Sequence, residues 1–464
     1  MAKELLHKVT KMGTIDFFYQ YNQKYISMIT QFFSWYNQIG RRILDVFHVM
    51  FDDIFKLLLF IAVLISTLYL IMSLYTLFKK IRRTNNNKVD INDEQLPFVT
   101  VQIPTFNEIV AIRCAKSCLN FDYPKDKYEI IIGDDSNNPE VSKKLKEFAT
   151  NQHELVKVIK RSSNEGYKPG NLNNMLKYSK GEIIVIFDSD FVPPQDFLSR
   201  IVMPFMRDKK IAGVQARWKF INANQNMVSV LGATIVSTCH HITIPFMYNR
   251  RKITFLCGSA EAVRKNALVE LGAWENGNLT EDIEFSLRLL EKGYKIEYLD
   301  DLECDSEVPY TLKDLYKQQM RWAYGVIYSW KKHFSSIMKS ENLNFIDKMY
   351  MGGIFCSGYL LSVLLAGLFI AGTLSLVTHA PAPIEWGKFF YELARNIILT
   401  SGLVIASVIA LKRANKSKLS MRMVASSFSY GLVVTYYVNI GIFKALAKKP
   451  MEWYMLNKQG NKLD

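Results

Sequence analysis

The sequence predicts an α/β domain built on a parallel sheet and set between helices apolar enough to cross a membrane. Three observations predict it. Between about 97 and 335, short apolar runs alternate with helical patterns, which is how a parallel sheet covered by helices is written. The run Ile183-Ile184-Val185-Ile186-Phe187 has no polar member, as expected of a strand buried on both faces, and it delivers two carboxylates in Asp188-Ser189-Asp190. Uncharged stretches at 57–78 and 350–377 flank this charged middle, and each is long enough to span a bilayer.

The chain has 464 residues, 49% of them hydrophobic, with 58 basic and 43 acidic side chains and a net charge of +15. The length suits one large soluble domain plus membrane helices. A basic excess fits nucleic acid, a membrane surface or an anionic substrate. The uncharged stretches select the membrane, and no basic stripe with interleaved aromatics speaks for nucleic acid. Cys114, Cys118, Cys239, Cys257, Cys304 and Cys356 are scattered, and Cys114/Cys118 lack the second pair a zinc site needs, so reduced thiols are expected. The first apolar run comes too late for a cleavable signal peptide.

In chain order, residues 1 to about 50 mix aromatics with polar residues. This composition fits an amphipathic arm on the membrane, a flexible arm or a helix packed on the protein. The 57–78 span is followed by Lys79, Lys80, Arg82 and Arg83, which places the next segment in the cytosol; Arg41, Arg42 and Lys56 on the other side weaken that bias. A polar linker begins at Asn85-Asn86-Asn87. Strands are expected at 98–103, 128–132, 156–159 and 183–187, with helices near 110–119 and 141–150. The stretch from Trp218 to about Pro245 reads as a long amphipathic helix along the membrane face. The uncharged segment at 396–411 is short and needs 389–393 to cross. Its basic end, Lys412 to Arg422, is a second cytosolic mark. The segment 423–443 is long enough to span but carries Ser426, Ser427, Ser429 and Asn439, so an interfacial or protein-lined helix with a cytosolic C-terminus is preferred.

Several polar clusters close strand-like runs, where open α/β sheets bind ligands. Two carboxylates as close as Asp188 and Asp190 call for a positive partner, and a hard divalent cation shared with a diphosphate is the natural one. A strand-ending Asp/Ser turn is the plain alternative. Asp134-Asp135 ends the second strand, as an acceptor for a base or ribose or as an Asx turn. Gly166 to Asn173 is a glycine-bounded loop before a helix, whose backbone N–H groups and Lys168 suit a phosphate; a tight turn is the alternative. Phe255-Leu256-Cys257-Gly258-Ser259 ends another apolar run, and Gly258 permits close approach. Thr280-Glu281-Asp282 opens a helix, as an N-cap with acidic first-turn residues or with Asp282 as a general base. In Gln318-Gln319-Met320-Arg321-Trp322, positions 318, 321 and 322 share a helix face. There Arg321 suits a diphosphate and Trp322 a sugar ring, unless the helix is merely amphipathic.

In this order the motifs Asp-Asp-Ser, Lys-Pro-Gly-Asn, Asp-Ser-Asp, Phe-Leu-Cys-Gly-Ser, Thr-Glu-Asp and Gln-Gln-Met-Arg-Trp resemble those of the processive membrane-embedded family 2 glycosyltransferases, the cellulose, mannan and hyaluronan synthases. The resemblance is strong over 97–335 and looser in the flanking helices. It implies a GT-A (Rossmann-like) cytosolic domain inserted between transmembrane helices, with interfacial amphipathic helices. Asp134 or Asp135 would bind the nucleoside, and Lys168 the donor phosphates. Asp188 and Asp190 would meet the diphosphate, Asp190 mainly through Mg²⁺ or Mn²⁺. Asp282 would be the base, and Glu281 beside it would bind substrate. Gln318, Gln319, Arg321 and Trp322 would hold pyrophosphate and the growing sugar, with Cys257, Gly258 and Ser259 beside the acceptor. The family's gating segment is similar to the tail from Trp453 to Gly460. The aromatic and Lys458 are kept, while Leu456 stands where the family has Thr.

The chain then divides into an arm (1–55), a transmembrane helix (56–79), a linker (80–96), the glycosyltransferase domain with its interfacial helices (97–335) and a C-terminal membrane region (336–464). That last region has spans near 350–378 and 389–411, an interfacial or spanning helix at 423–443 and a cytosolic gating-like tail. The implied protein is a multi-pass plasma-membrane enzyme. It is an inverting processive β-glycosyltransferase that moves a hexose from a nucleotide-sugar, UDP-glucose first and GDP-mannose second, to a polysaccharide and carries the product across the membrane. Membrane lipids are further partners. A non-processive transferase glycosylating a lipid acceptor, as ceramide glucosyltransferases do, is the alternative, and a catalytically inactive membrane scaffold is a third.

Overall fold

The structure is a computed structural model that describes residues 14–79, 95–152, 154–380, 383 and 385–461. Residues 1–13 of the arm, and linker residues 80–94 with Lys80, Arg82, Arg83 and the three asparagines, lie outside the described residues.

Seven strands make one mixed sheet in the order β3-β2-β1-β4-β6-β5-β7. They are β1 (Val99–Thr105), β2 (Tyr128–Asp134), β3 (Val156–Lys160), β4 (Ile183–Ile186), β5 (Ile211–Phe220), β6 (Glu261–Arg264) and β7 (Lys295–Ser306). β1 lies between β2 and β4, parallel to both. Every residue of β1, β2 and β4 is buried, which is why these strands read as unbroken apolar runs. The parallel pattern stops at β6, which runs antiparallel to both β4 and β5. β6 has four residues, two of them charged, and carries no alternating or apolar signature. Parallel pairing at β1, β2 and β4 brings their C-terminal ends to one edge: Thr105 is level with Asp134, and β4 ends there at Phe187-Asp188.

The amphipathic helix expected over 218–245 does not form as one element. Trp218 to Phe220 close β5, whose backbone pairs with β7, and Trp218 packs its ring on Phe191 at 5.3 Å. A polar turn follows. Asn226 then caps a helix by accepting the Ser229 N–H at 2.9 Å. That helix runs Met227–Thr238, passes through a π-helical turn at Cys239–Thr243 and resumes as Ile244–Arg251. Its most apolar window is 83% buried within the protein. A helix apolar on all sides belongs inside a core rather than along an interface.

Among the described residues, three helices are long and apolar enough to cross a membrane, within Asn22–Phe78, Met227–Arg251 and Ser357–Thr378. The segment expected over 389–411 is broken into Trp386–Leu399 and Gly402–Arg413, which would make a fourth as a bent pair. The segment over 423–443 belongs to Ser420–Leu446, a helix lined by protein along one side. It meets the helix Leu312–Lys339 so closely that a Cβ on Gly441 would lie 2.4 Å from the Met320 carbonyl oxygen. All six cysteines are free thiols.

The chain forms two compact units, 1–62 with 364–395 and 63–363 with 396–464. In the first, Arg41 donates to the Thr378 carbonyl at 3.1 Å and a Cβ on Gly367 would meet Leu58 at 2.9 Å. The sheet, and every residue of the site below, belong to the second.

Candidate active site

At the C-terminal edge of β1, β2 and β4 a cavity of about 380 Å³ opens. Asp188, Asp190, Lys168, Asp282, Gln318, Arg321 and Trp322 all line it, so residues far apart in sequence converge on one volume.

The Asp-Ser-Asp turn is held from two sides by lysines. Asp188 Oδ1 lies 2.9 Å from Lys168 Nζ, and its backbone N–H donates to Ser259 Oγ at 2.9 Å. Lys168 also pairs with Glu281 at 3.1 Å and donates to the Gly258 carbonyl at 2.5 Å. This lysine does not sit in a loop before a helix, as expected from its glycine-bounded setting. The helix Tyr167–Leu176 begins directly after Gly166, whose φ of +71° lets the chain turn into it, and Lys168 is in its first turn. Asp188 and Glu281 beside it hold the Lys168 ammonium well above its ordinary pKa despite burial, and the same ammonium holds Asp188 below the ordinary carboxylate range.

Asp190 is held by the far end of the chain. Its Oδ1 lies 2.7 Å from Lys458 Nζ, and its Oδ2 accepts the Glu307 N–H at 3.1 Å. Lys458 pairs with Glu108 at 2.9 Å and donates to Ser189 Oγ at 2.7 Å. Asp188 and Asp190 thus face different cations, Lys168 and Lys458.

Asp282 is the second residue of the helix Glu281–Glu291. Burial, then the neighbouring Glu281, push its carboxyl up to about 7. Gly258 faces it with a φ of +85°, and a Cβ there would sit 3.3 Å from both Asp282 Oδ2 and Lys168 Nζ. Only glycine allows the chain this close at this angle. Glu261 lies behind and accepts the N–H groups of Cys257 and Gly258 at 3.0 and 2.7 Å. Burial and then Asp282 push it up to about 8. Asp282 is therefore a carboxylate poised near neutral pH, next to the lysine that binds Asp188, which is the profile of a general base.

The helix Leu312–Lys339 presents Gln318, Arg321 and Trp322 to the cavity on one face, as their spacing requires, and turns the buried Gln319 away. Arg321 Nη1 donates to the Leu279 carbonyl at 3.0 Å, which ties this helix to the turn before Asp282. At that turn a Cβ on Gly325 would lie 2.4 Å from Thr280, so the two helices meet over a residue that cannot be larger. The Arg321 guanidinium lies 4.3 Å from the Trp453 ring, and Tyr167 stacks on the same ring at 5.9 Å. Trp453 to Lys458 thus form one wall of the cavity. Tyr454 anchors this tail by donating to Asp314 at 3.0 Å, and the Gln459 and Gly460 N–H groups donate to Glu307 at 2.7 and 3.2 Å.

Not every expected residue reaches the cavity. Cys257, Gly258, Glu281 and Asp135 line it. Asp135 is gripped by Arg161, with Nε donating to Oδ1 at 2.7 Å and Nη2 meeting Oδ2. Asp134 is fully buried behind the wall. Its Oδ1 accepts the Ser136 N–H at 2.9 Å and its Oδ2 faces Lys160, an Asx turn that closes β2. Ser259 supports Asp188 from behind, and its carbonyl accepts from Trp218 Nε1 at 2.9 Å. Sequence reasoning missed Glu108, Glu261, Glu307 and Arg161. Glu108 had a signal, since it follows the end of β1 as Asp188 follows β4; the others sit in segments with no local pattern.

The residues fit a hard divalent cation: two carboxylates one residue apart line the same cavity, and Lys458 shows that positive charge is favourable at Asp190. Asp190 and Asp188 would hold it. Among the described residues no group of three or more His, Cys, Asp or Glu is placed to hold a metal ion.

Residues 97–325 match the family described as glycosyltransferase like family 2. Glucomannan 4-beta-mannosyltransferase 7 of Arabidopsis thaliana is 31% identical over 328 residues, covering 65% of this chain and 58% of that protein. Glucomannan 4-beta-mannosyltransferase 1 of Oryza sativa subsp. japonica is 29% identical over 272 residues, covering 56% and 52%. The chain thus spans little more than half the length of the curated relatives it matches. A mannosyltransferase from Pyrobaculum calidifontis, solved with GDP-Man and Mn²⁺, superposes with a TM-score of 0.57 at 17% identity, covering 86% of this chain and all of that one. At that identity the likeness is one of fold, and the fold is of the GT-A type.

Proposed function

We propose that this chain, whose residues 97–325 match glycosyltransferase like family 2 and which is similar to plant glucomannan 4-beta-mannosyltransferases, is an inverting, processive β-mannosyltransferase that extends a polysaccharide from GDP-mannose. The observation that carries the reading is the convergence of Asp282, near neutral in pKa, with Asp188, Lys168 and Arg321 on one cavity. The choice of sugar reverses the order expected from sequence, in which UDP-glucose came first. The relatives named above are mannosyltransferases, and the P. calidifontis enzyme was solved with GDP-Man.

Asp282, ionised, accepts the proton of the acceptor hydroxyl as that oxygen attacks the anomeric carbon. The bond from that carbon to the diphosphate breaks on the opposite face, and its electron pair leaves with the nucleotide. Arg321 and Lys168 offset the charge that develops on the diphosphate. A Mg²⁺ or Mn²⁺ ion held by Asp190 and Asp188 supplies further neutralisation of the diphosphate when bound. Lys458, 2.7 Å from Asp190 Oδ1, occupies the position that a cation held by Asp190 would take. Trp322 and Trp218, with ring centroids 6.4 Å apart, supply apolar faces for acceptor sugars. Asp135, already bound to Arg161, offers the nucleoside a charge-neutral pair rather than a free carboxylate.

The apolar helices anchor the enzyme in a membrane. Its catalytic domain and tail face the cytosol, in keeping with Lys79, Lys412 and Arg413 at the helix ends, and the product leaves through the membrane. The test is a donor panel on purified chain in detergent, with and without Mn²⁺ and a chelator. Metal-dependent transfer from GDP-mannose is expected. Transfer from UDP-glucose alone would overturn the choice of donor, and transfer undiminished by the chelator would overturn the role given to Asp188 and Asp190.

A further inference from the structure

The helix Thr14–Phe78 carries a surface that the reaction does not use. It is 65 residues long, roughly 100 Å at 1.5 Å per residue. A bilayer core takes about 20 residues of helix, and the uncharged stretch at 57–78 supplies them. The helix has no proline and only Gly40 among its residues, so nothing in its sequence bends the part before 57 onto the membrane plane.

In that part, apolar residues recur at steps of three and four. Ile29, Tyr36, Ile43 and Met50 form one row, and Phe32, Ile39 and Val46 interleave with it. All seven are between 38% and 70% exposed. This is the a/d seam of a left-handed coiled coil, sustained over three heptads. Flanking e and g positions add Phe33, Trp35, Phe47 and Val49, also exposed. The opposite row is polar, with Ser27, Ser34, Arg41 and His48. The chain's own neighbour takes that side: Arg41 donates to the Thr378 carbonyl and His48 Nδ1 lies 3.0 Å from the Ser375 carbonyl oxygen.

We infer that the seam from Ile29 to Met50 pairs with the same seam of a second copy of this chain, as a parallel coiled coil. Two copies in one bilayer share an orientation, so parallel pairing is the geometry open to them. The seam is self-complementary, because neither row holds a charge over this stretch. Arg42, the one charged residue at its flanks, would face Phe47 of the second copy in parallel register, a cation–π contact rather than a clash. The side chains named would bury roughly 1,000 Å² per copy, more than the about 800 Å² of a standard stable interface. Asp53 ends the run where the uncharged stretch is about to begin.

The test uses the full chain in nanodiscs. Ile43→Cys and Ile29→Cys place thiols on the seam, where facing Cα atoms in a parallel pair come within disulfide range. Ser34→Cys and Gln38→Cys place them on the other side. Oxidation should link copies through 29 and 43 but not through 34 or 38, relative to the parent chain with its six native thiols. Light scattering should give the mass of two chains, halved by Ile39→Glu with Ile43→Glu. Overturning results are a parent mass of one chain with no seam link, equal linking from both sides, or quenching of a label at 43 by lipid-borne quenchers without linking, which would put the seam in lipid. The cysteine series stands even where the double Glu variant fails to fold.

Discussion

Replacing Asp282 with Asn removes one ionisable oxygen and leaves the shape of the site intact. Asp282 lies against Gly258 in the turn that also holds Lys168. Loss of a positioned base costs about 10²–10⁴ in rate, or about 3–5 kcal/mol of barrier. Because the carboxyl of the parent enzyme sits near pKa 7, kcat/KM should fall about tenfold per unit below pH 7 and level off above it. In the Asn variant the slope should vanish with the activity. The stability change has a defined sign. A folded-state value raised above the ordinary one contributes stability fully present below about pH 4 and lost as pH rises through about 7. Asn does not pay that loss, so the variant should be more stable than the parent at pH 8. With a shift from 3.8 to about 7, the gain is at most about 4 kcal/mol at 1.36 kcal/mol per unit. The assays are initial rates from labelled GDP-mannose between pH 5.5 and 8.5, and melting temperatures over the same range. Retention of a tenth or more of the parent rate, or a flat parent profile between pH 5.5 and 7, would refute the assignment.

Lys458→Ala should tighten Mn²⁺ binding in the presence of GDP by about tenfold, since a charged hydrogen bond of about 1.5 kcal/mol no longer competes for Asp190; calorimetric titration reads it, and unchanged or weaker binding contradicts it. Trp453→Ala removes the ring that Arg321 and Tyr167 share, so proteolysis within 451–461 should quicken while the melting temperature of the sheet domain hardly moves. Gly325→Ala drives a methyl into Thr280 and should cost about 1–3 kcal/mol of stability, measured by denaturant unfolding in detergent; a neutral result would mean that the two helices are not in contact there.

The sequence exposed those parts of the fold whose burial is uniform. β1, β2 and β4 are buried along their whole length and so appear as apolar runs. β7 alternates between buried and partly exposed positions and carries several charges, and β6 is four residues long, so neither has a strand signature. A polar turn at 222–226 parts β5 from a helix that is apolar on nearly all sides, and an apolar run alone does not tell strand from helix. At the site, Asp188 and Asp282 were legible because each sits at a strand or helix end, and Arg321 because its spacing puts it on one helix face with Gln318 and Trp322. The pairing of Lys458 with Asp190 and Glu108 was not, because it joins positions more than 260 residues apart and depends on where the tail folds. Asp134 shows the opposite case: it looks as available as Asp135 in sequence, yet its turn consumes it.

Processive transfer of mannose is read from the size of the product. Purified chain in nanodiscs is incubated with labelled GDP-mannose and Mn²⁺, and the product is sized before and after digestion with a β-1,4-mannanase. A high-molecular-mass labelled polymer that the mannanase reduces to short oligosaccharides is expected. A product carrying one sugar on a lipid, or a polymer that the mannanase leaves intact, would contradict it.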